Sequence, residues 1–235
     1  TAYATPLRLV GSEMCIRDSS QLAKRIALFA LALGRGGLGS DVIDARKISN
    51  LEGGLAAFYT LDEDDYFGSS VVALGDVNGD GITDLAVGAP GSYYWAYDGG
   101  GAVYVLFMNV TVIGAQKISN SHGGLSAFYT LDAYDYFGCS LAALGDWNGD
   151  GIPDMAVGAY RDGNVGSSWG FGAVYIIFLN SDGTVKAMTK ISNSHGYLAS
   201  FYTLGYSDLF GSSLALLGNS DGTLELVVGS VADAV

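Results

Sequence analysis

The sequence predicts an all-β protein, a partial β-propeller whose blades are four-stranded antiparallel sheets. Three observations predict this fold. Segments of about 70 residues recur along the chain, each contains short and almost continuously apolar runs, and Gly or Asp ends every run after five to nine residues. Apolar runs without a polar face are typical of strands covered on both sides. Sheets that are covered on both sides and repeat at a fixed interval are typical of propeller blades.

The repeat is the strongest of these observations. The signal Lys-Ile-Ser begins at Lys47, Lys117 and Lys190, so that successive copies are 70 and 73 residues apart. The amino-acid sequence between the signals is also similar, for example GGLAAFYTLDEDDYFG in the first copy and GGLSAFYTLDAYDYFG in the second. We therefore predict a propeller fragment over 47–235. Its repeats are 47–116, 117–189 and, in part, 190–235.

Each complete repeat contains four predicted strands. In the first repeat they are about 67–75, 84–89, 101–108 and a segment around 115–120. A β-helix is the rival architecture, but its repeats are much shorter, and a β-sandwich would need polar outward faces. Propellers close with about four to eight blades. Because this sequence holds two complete repeats, we expect the other blades outside it or in another chain.

Two segments precede the repeats. Residues 9–19, LVGSEMCIRDS, resemble a translated sequencing-library adapter, and we exclude 1–19 from the fold as a non-native tail. Within 20–46, two basic residues precede eight apolar ones. This pattern indicates either a secretory leader or the outer strands of a preceding repeat. The apolar run is far shorter than the roughly 20 residues of a transmembrane helix, so we expect no membrane insertion.

The charge of the chain limits its partners. The formal net charge of −13 argues against nucleic acid, whose phosphates require a basic surface, and it permits cation binding. Of the two cysteines, Cys15 lies in the tail, which leaves Cys139 without a disulfide partner. Cys139 aligns with Ser69 and Ser212, so we interpret it as a small buried residue.

Two short signals recur in register and resemble the FG-GAP repeat of the integrin α-chain propeller. In the first repeat Phe67-Gly68 precedes Gly88-Ala89-Pro90. The later copies are Phe137-Gly138 with Gly158-Ala159-Tyr160, and Phe210-Gly211 with Gly229-Ser230. The resemblance covers about 47–235. It implies a ring of such units, a calcium loop between the two signals, and a ligand-binding face opposite the calcium loops.

An oxygen-rich turn between the two signals has the ligand spacing of a calcium loop, DVNGDGITD in the first repeat and DWNGDGIPD in the second. Hard cations take oxygen ligands from alternate residues of such a loop, and a Gly at position 6 allows its sharp turn. The predicted ligands are Asp76, Asn78, Asp80, the Ile82 carbonyl and Asp84, and then Asp146, Asn148, Asp150, the Ile152 carbonyl and Asp154. An EF-hand would have Glu at position 12 and flanking helices, whereas position 12 here is Val87 or Val157.

The alternative is an Asp/Asn/Gly turn that binds no metal. We favour the metal, because three clustered carboxylates repel one another unless a cation offsets them. The ion is expected to be structural, since no acid, base or nucleophile recurs beside the loops. The third copy, 219–225, is two residues shorter and replaces the outer Asp residues by Asn219 and Glu225, so we expect weak binding or none there.

Other candidates have weaker support. The acidic run 61–68 could hold a pair of catalytic carboxylates, but only one Asp is common to the three copies. We expect this residue, Asp65, Asp135 or Asp208, to bond backbone N–H groups in the turn before Phe-Gly. His122 and His195 are expected to be solvated loop residues.

The loops 91–100 and 161–171 vary most between the repeats, and the resemblance places them on the ligand-binding face. Their aromatic residues could form a contact patch, because Tyr and Trp dominate binding hot spots, or could pack between blades. The candidates are Tyr93, Tyr94, Trp95, Tyr97 and Trp169.

The leading hypothesis is a calcium-stabilised, non-enzymatic propeller segment of a secreted or cell-surface protein, which binds a protein or glycan ligand in adhesion or recognition. The alternative is a propeller that acts as the scaffold domain of a larger extracellular enzyme. A third possibility is that the fragment does nothing alone, because an open arc exposes apolar blade faces.

Overall fold

A computed structural model describes residues 28–36, 39–62, 64–91, 99–163, 170–218 and 224–231, with only the backbone described over 28–44. Within these ranges the regular structure consists of β-strands and three 3-10 helices, Leu55–Ala57, Leu125–Ala127 and Leu198–Ser200. The strands are β1 (Leu28–Gly36), β2 (Gly39–Ile48), β3 (Ser70–Gly75), β4 (Asp84–Ala89), β5 (Ala102–Met108), β6 (Val112–Ile118), β7 (Ser140–Gly145), β8 (Asp154–Ala159), β9 (Ala173–Leu179), β10 (Val185–Ile191), β11 (Ser213–Gly218) and β12 (Leu224–Gly229). The all-β fold class is confirmed.

The strands form two complete blades. Strands β3 to β6 make one four-stranded antiparallel sheet in chain order, and β7 to β10 make another. The pairs β1–β2 and β11–β12 are antiparallel two-stranded sheets. Among the described residues, no helix is long and apolar enough to cross a bilayer.

The strand boundaries differ from the predicted ones at both ends of a blade. The first strand begins at Ser70 rather than at 67, because Tyr66 and Gly68 have φ of 51° and 92°, values that a regular strand does not contain. The fourth strand begins at Val112 and ends at Ile118. The Lys-Ile-Ser signal therefore lies at the end of a blade, so that each sequence repeat begins on the last strand of the blade before it.

The two glycine signals meet where neighbouring blades pack. Within one repeat, the Gly68 N–H donates to the Gly88 carbonyl at 2.9 Å. Across the interface, a Cβ on Gly88 would lie 1.9 Å from the Gly138 carbonyl oxygen of the next blade, and Ser70 Oγ donates to that same oxygen at 2.7 Å. Gly158 and Ser140 meet Gly211 in the same way. The glycines thus allow blade-to-blade contact at backbone distance.

The core lies between the blades. All six residues of β4 and all six of β8 are buried, which confirms that these apolar runs are covered on both faces. Phe67 and Phe137 are fully buried, each edge-to-face with the tyrosine of its own third strand, Tyr104 or Tyr175. In the β11–β12 pair, one face packs on the second blade, while Leu217 and Val227 on the other face are about half exposed.

Candidate metal loops and the opposite loop face

The first candidate loop joins β3 to β4 and wraps around the side chain of Asp76. Asp76 Oδ1 accepts the N–H groups of Gly79 and Asp80 at 2.7 and 2.9 Å, and Oδ2 accepts the Gly81 N–H at 2.8 Å. Gly79 and Gly81 have φ of 79° and 85°, which a glycine adopts without steric cost. A Cβ on either glycine would meet nothing within 4 Å, so backbone conformation rather than space requires glycine here.

The last predicted ligand of this loop, Asp84, is fully buried and is the first residue of β4. Its carboxylate accepts the Val77 N–H at 3.0 Å and the Met108 N–H at 2.9 Å. Burial raises the pKa of Asp84, and the two backbone N–H groups act against this increase. Asp84 therefore joins the loop to the third strand of the same blade.

The second loop, between β7 and β8, repeats this geometry. Asp146 accepts the N–H groups of the residues three, four and five positions later at 2.8 to 2.9 Å. Buried Asp154 accepts N–H groups from Trp147 and from Leu179 on β9, at 3.0 and 3.2 Å, and burial raises its pKa. One contact has no counterpart among those described for the first loop: Lys186 Nζ lies 2.7 Å from Asp150 Oδ2.

The loop oxygens are suitable ligands for a hard cation, and the carboxylates have lone-pair sites that no described hydrogen bond uses. A carboxylate has about four lone-pair sites. Among the described contacts, Asp76 accepts three N–H donors and Asp80 accepts two. Asp84 also accepts two, with the Asn78 N–H as a further weak contact. Each group therefore retains a site for a cation. The carboxylates are directed at backbone donors, however, and within the described ranges no three His, Cys, Asp or Glu side chains converge as a ready metal cluster. Metal binding would therefore require these side chains to reorient toward a common point.

Most of the remaining predicted site residues lie outside the part of the chain that the structure describes. Of the third loop, 219–223 lie outside the described residues, and Glu225 pairs with Leu217 within β12 and β11. The aromatic candidates lie outside the described residues; they are Tyr93, Tyr94, Trp95, Tyr97 and Trp169. The residues that flank them are described. Strand β4 begins at the candidate metal loop and ends at Ala89, so the segment after it starts on the opposite loop face, at the other end of the strands.

The common Asp of the acidic run has the predicted role in the turn. Asp65 Oδ2 accepts the Asp62 N–H and Asp135 Oδ2 accepts the Asp132 N–H, both at 2.8 Å. Asp208 accepts the Gly205 N–H at 2.6 Å. Each carboxylate thus closes a four-residue turn that ends one residue before Phe-Gly.

The prediction for the two histidines is confirmed, whereas Cys139 is only partly buried rather than fully buried. His122 and His195 are exposed, and each Nδ1 lies within hydrogen-bond distance of a neighbouring serine. Cys139 Sγ lies 3.5 Å from the Gly211 carbonyl oxygen at the blade interface, and burial raises the pKa of its thiol to about 11.

Sequence reasoning missed a buried ion pair on the opposite loop face. Lys190 Nζ lies 2.7 Å from Asp162 Oδ1, and the two side chains are only 7% and 3% exposed. Tyr175 donates its hydroxyl proton to Asp162, and Lys190 donates to the hydroxyl of Tyr129. The pair lines a cavity of about 270 Å³ together with Tyr129, Asp132, Phe171, Ser192 and Ser194. The one signal in the sequence was the lysine of Lys-Ile-Ser, which we used only to mark the repeat.

A family model described as the FG-GAP repeat matches residues 67–106. Human integrin alpha-7 is 38% identical to the chain over 169 residues, which are 71% of this chain and 12% of that protein. Integrin alpha-3 of Cricetulus griseus is 36% identical over 173 residues, 72% of this chain and 14% of that protein. The phosphatidylinositol-glycan-specific phospholipase D of Rattus norvegicus is 32% identical over 163 residues, 68% of this chain and 18% of that protein. The chain therefore spans less than a fifth of the length of these curated relatives.

Proposed function

The chain is an FG-GAP repeat protein that resembles the integrin α-chain propeller, and from this premise we propose that it is a calcium-stabilised propeller segment of a secreted or cell-surface protein. Its role is adhesion or ligand recognition, without catalysis. The observation that carries this proposal is the repetition of one loop geometry in both complete blades, with the same carboxylates accepting equivalent backbone N–H groups.

The residues that would hold calcium are the sequence-predicted ones. They are Asp76, Asn78, Asp80, the Ile82 carbonyl and Asp84 in the first blade, and Asp146, Asn148, Asp150, the Ile152 carbonyl and Asp154 in the second. The ion would neutralise clustered carboxylates. Because Asp84 and Asp154 bond the third strands of their blades, fixing a loop also stabilises the sheet behind it.

The expected affinity favours a location outside the cell. Sites of this kind in extracellular modules have Kd values of about 10⁻⁴ to 10⁻³ M, and such sites fill only where calcium is millimolar. At about 1 mM calcium, each loop would then add about 0.4 to 1.4 kcal/mol to the free energy of unfolding, from the linkage between ligand binding and folding.

We place the ligand, a protein or a glycan, on the face opposite the calcium loops. The loops 91–100 and 161–171 leave the blades at that face, and they carry the aromatic candidates Tyr93, Tyr94, Trp95, Tyr97 and Trp169. The cavity beside Lys190 and Asp162 opens among the same elements of the second blade. It supports this choice of face, because ligand sites are concave and contain a few buried polar groups.

The hairpin β1–β2 supports a related proposal for 20–46. Strands β1 and β2 pair antiparallel and end at Lys47-Ile48, as β5 and β6 pair and end at Lys117-Ile118. We infer that the hairpin is the remnant of a preceding repeat, and that the adapter-like 1–19 are not part of the propeller.

Calcium titration of the full chain tests the proposal. Added calcium should raise the Tm and a chelator should lower it, and the double variant Asp76→Asn with Asp146→Asn should respond to neither. The control is Asp64→Asn, which removes an exposed carboxylate outside both loops and should respond as the unaltered chain does. A Tm that does not move on chelation contradicts the calcium proposal.

A second candidate function is supported by one comparison, the similarity to a phospholipase D. In that case the propeller is the scaffold domain of a larger extracellular enzyme. The flanking gene sequence distinguishes the two: a catalytic domain favours the scaffold, whereas adhesive modules or a membrane anchor favour adhesion.

A further inference from the structure

The two candidate calcium loops differ in one charged neighbour. The fourth strands β6 and β10 read VIGAQKI and VKAMTKI, so Lys186 stands where the first blade has Ile113. Both side chains are about half exposed. Lys186 Nζ reaches across the blade to Asp150 Oδ2 at 2.7 Å, although the two residues are 36 positions apart.

We propose that Lys186 competes with the cation for the second loop, so that two loops with the same ligand pattern differ in calcium affinity and the second is the weaker. This inference rests on the proposed calcium function. The ammonium is bonded to one carboxylate that would hold the ion, and it is close enough to Asp146 and Asp154 for their charges to act on it. It therefore offsets part of the negative charge that would attract a divalent ion.

The size of the effect follows from the charge. Ligand charge is one of the properties that set calcium affinity in oxygen-ligand loops. A unit charge a few ångströms from a divalent ion, in surroundings close to water, changes the binding constant about tenfold. The ion pair is exposed, so it adds little to the stability of the fold. Its main consequence therefore falls on cation binding.

The difference in affinity would make the two loops fill at different calcium concentrations. When calcium is scarce, Lys186 would still offset the charge of the second loop, whereas the first loop has Ile113 at the equivalent position. The first loop would then fill at lower calcium than the second.

A luminescent ion tests this proposal separately at the second loop. Trp147 follows the first ligand of that loop, where the first loop has Val77, so Trp147 should sensitise terbium bound there. The part of the signal that Trp147→Phe removes belongs to the second loop. Lys186→Met removes the ammonium group and keeps a side chain of similar length. It should tighten terbium binding at this loop, and the calcium Kd obtained by competition, after correction for the terbium affinity of the same variant, should be about tenfold lower than in the unaltered chain.

Two controls isolate the charge. Lys186→Arg keeps the charge and should bind as the unaltered chain does. Ile113→Lys makes the reciprocal change, and it should weaken calcium binding at the first loop, measured by calorimetry with the second loop disabled by Asp146→Asn. If Lys186→Met leaves the affinity unchanged while the first loop binds calcium, Lys186 is not a competitor and the calcium proposal stands. If neither loop binds either ion, both proposals fail.

Discussion

Substitution of Gly88 by alanine tests the contact that joins neighbouring blades. A Cβ there would lie 1.9 Å from the Gly138 carbonyl oxygen and 2.2 Å from Ser70 Oγ, whereas real Cβ contacts are almost never under 3.0 Å. The two blades would have to separate by about 1 Å. Gly88 is not among the glycines with positive φ, so the backbone itself tolerates alanine.

The cost has two parts. Overpacking of this kind costs about 1–3 kcal/mol. Separation of the blades also weakens the 2.7 Å hydrogen bond from Ser70 to Gly138, worth about 1 kcal/mol. We therefore expect Gly88→Ala to lower the free energy of unfolding by about 2–4 kcal/mol, and to lower the Tm by about 2–4 °C for each kcal/mol in a chain of this size.

Urea unfolding followed by circular dichroism measures this change. The matched control is Gly218→Ala, because Gly218 also lacks a positive φ and, among the described residues, its Cβ would meet only a leucine methyl at 3.9 Å. If Gly88→Ala proves as stable as Gly218→Ala, the glycine signals do not act through blade packing, and our explanation of them is refuted.

Three further predictions test the loop face and the metal loops. Burial and the nearby Asp162 raise the pKa of Asp135 to about 8. The folded state therefore binds more protons than the unfolded state between about pH 4 and 8, and the free energy of unfolding should fall as pH rises through that window. Asp135→Asn should flatten this part of the profile of urea stability against pH, and an unaltered profile would contradict the shift. Lys190→Met leaves Asp162 buried without its cation and should cost about 3–5 kcal/mol, whereas adding Asp162→Asn should recover much of the loss; a double variant less stable than Lys190→Met would contradict the ion pair. Gly81→Ala places a side chain at φ of 85° and should cost about 1–2 kcal/mol by thermal unfolding, while Gly81→Asn, which tolerates this conformation, should cost less.

Much of the fold could be predicted because its signals are local. Apolar runs ended by Gly and Asp identify strands from neighbouring residues alone, and the repeat at Lys47, Lys117 and Lys190 shows how often the unit recurs. The oxygen-rich turns were identified for the same reason, since Asp76 and Asp80 accept N–H groups within five positions. The strand ends were less accurate, because the φ values of Tyr66 and Gly68 are not visible in a pattern of apolar residues.

The all-β repeat and the oxygen-rich turns could be predicted from the amino-acid sequence, because both depend on residues next to one another in the chain. Which distant residues meet became visible only in the folded chain. Gly88 touches Gly138, Lys186 reaches Asp150 and Lys190 pairs with Asp162. Such contacts arise from the way strands pair and blades pack, and a linear pattern of residue types contains no record of the distance between side chains on separate strands.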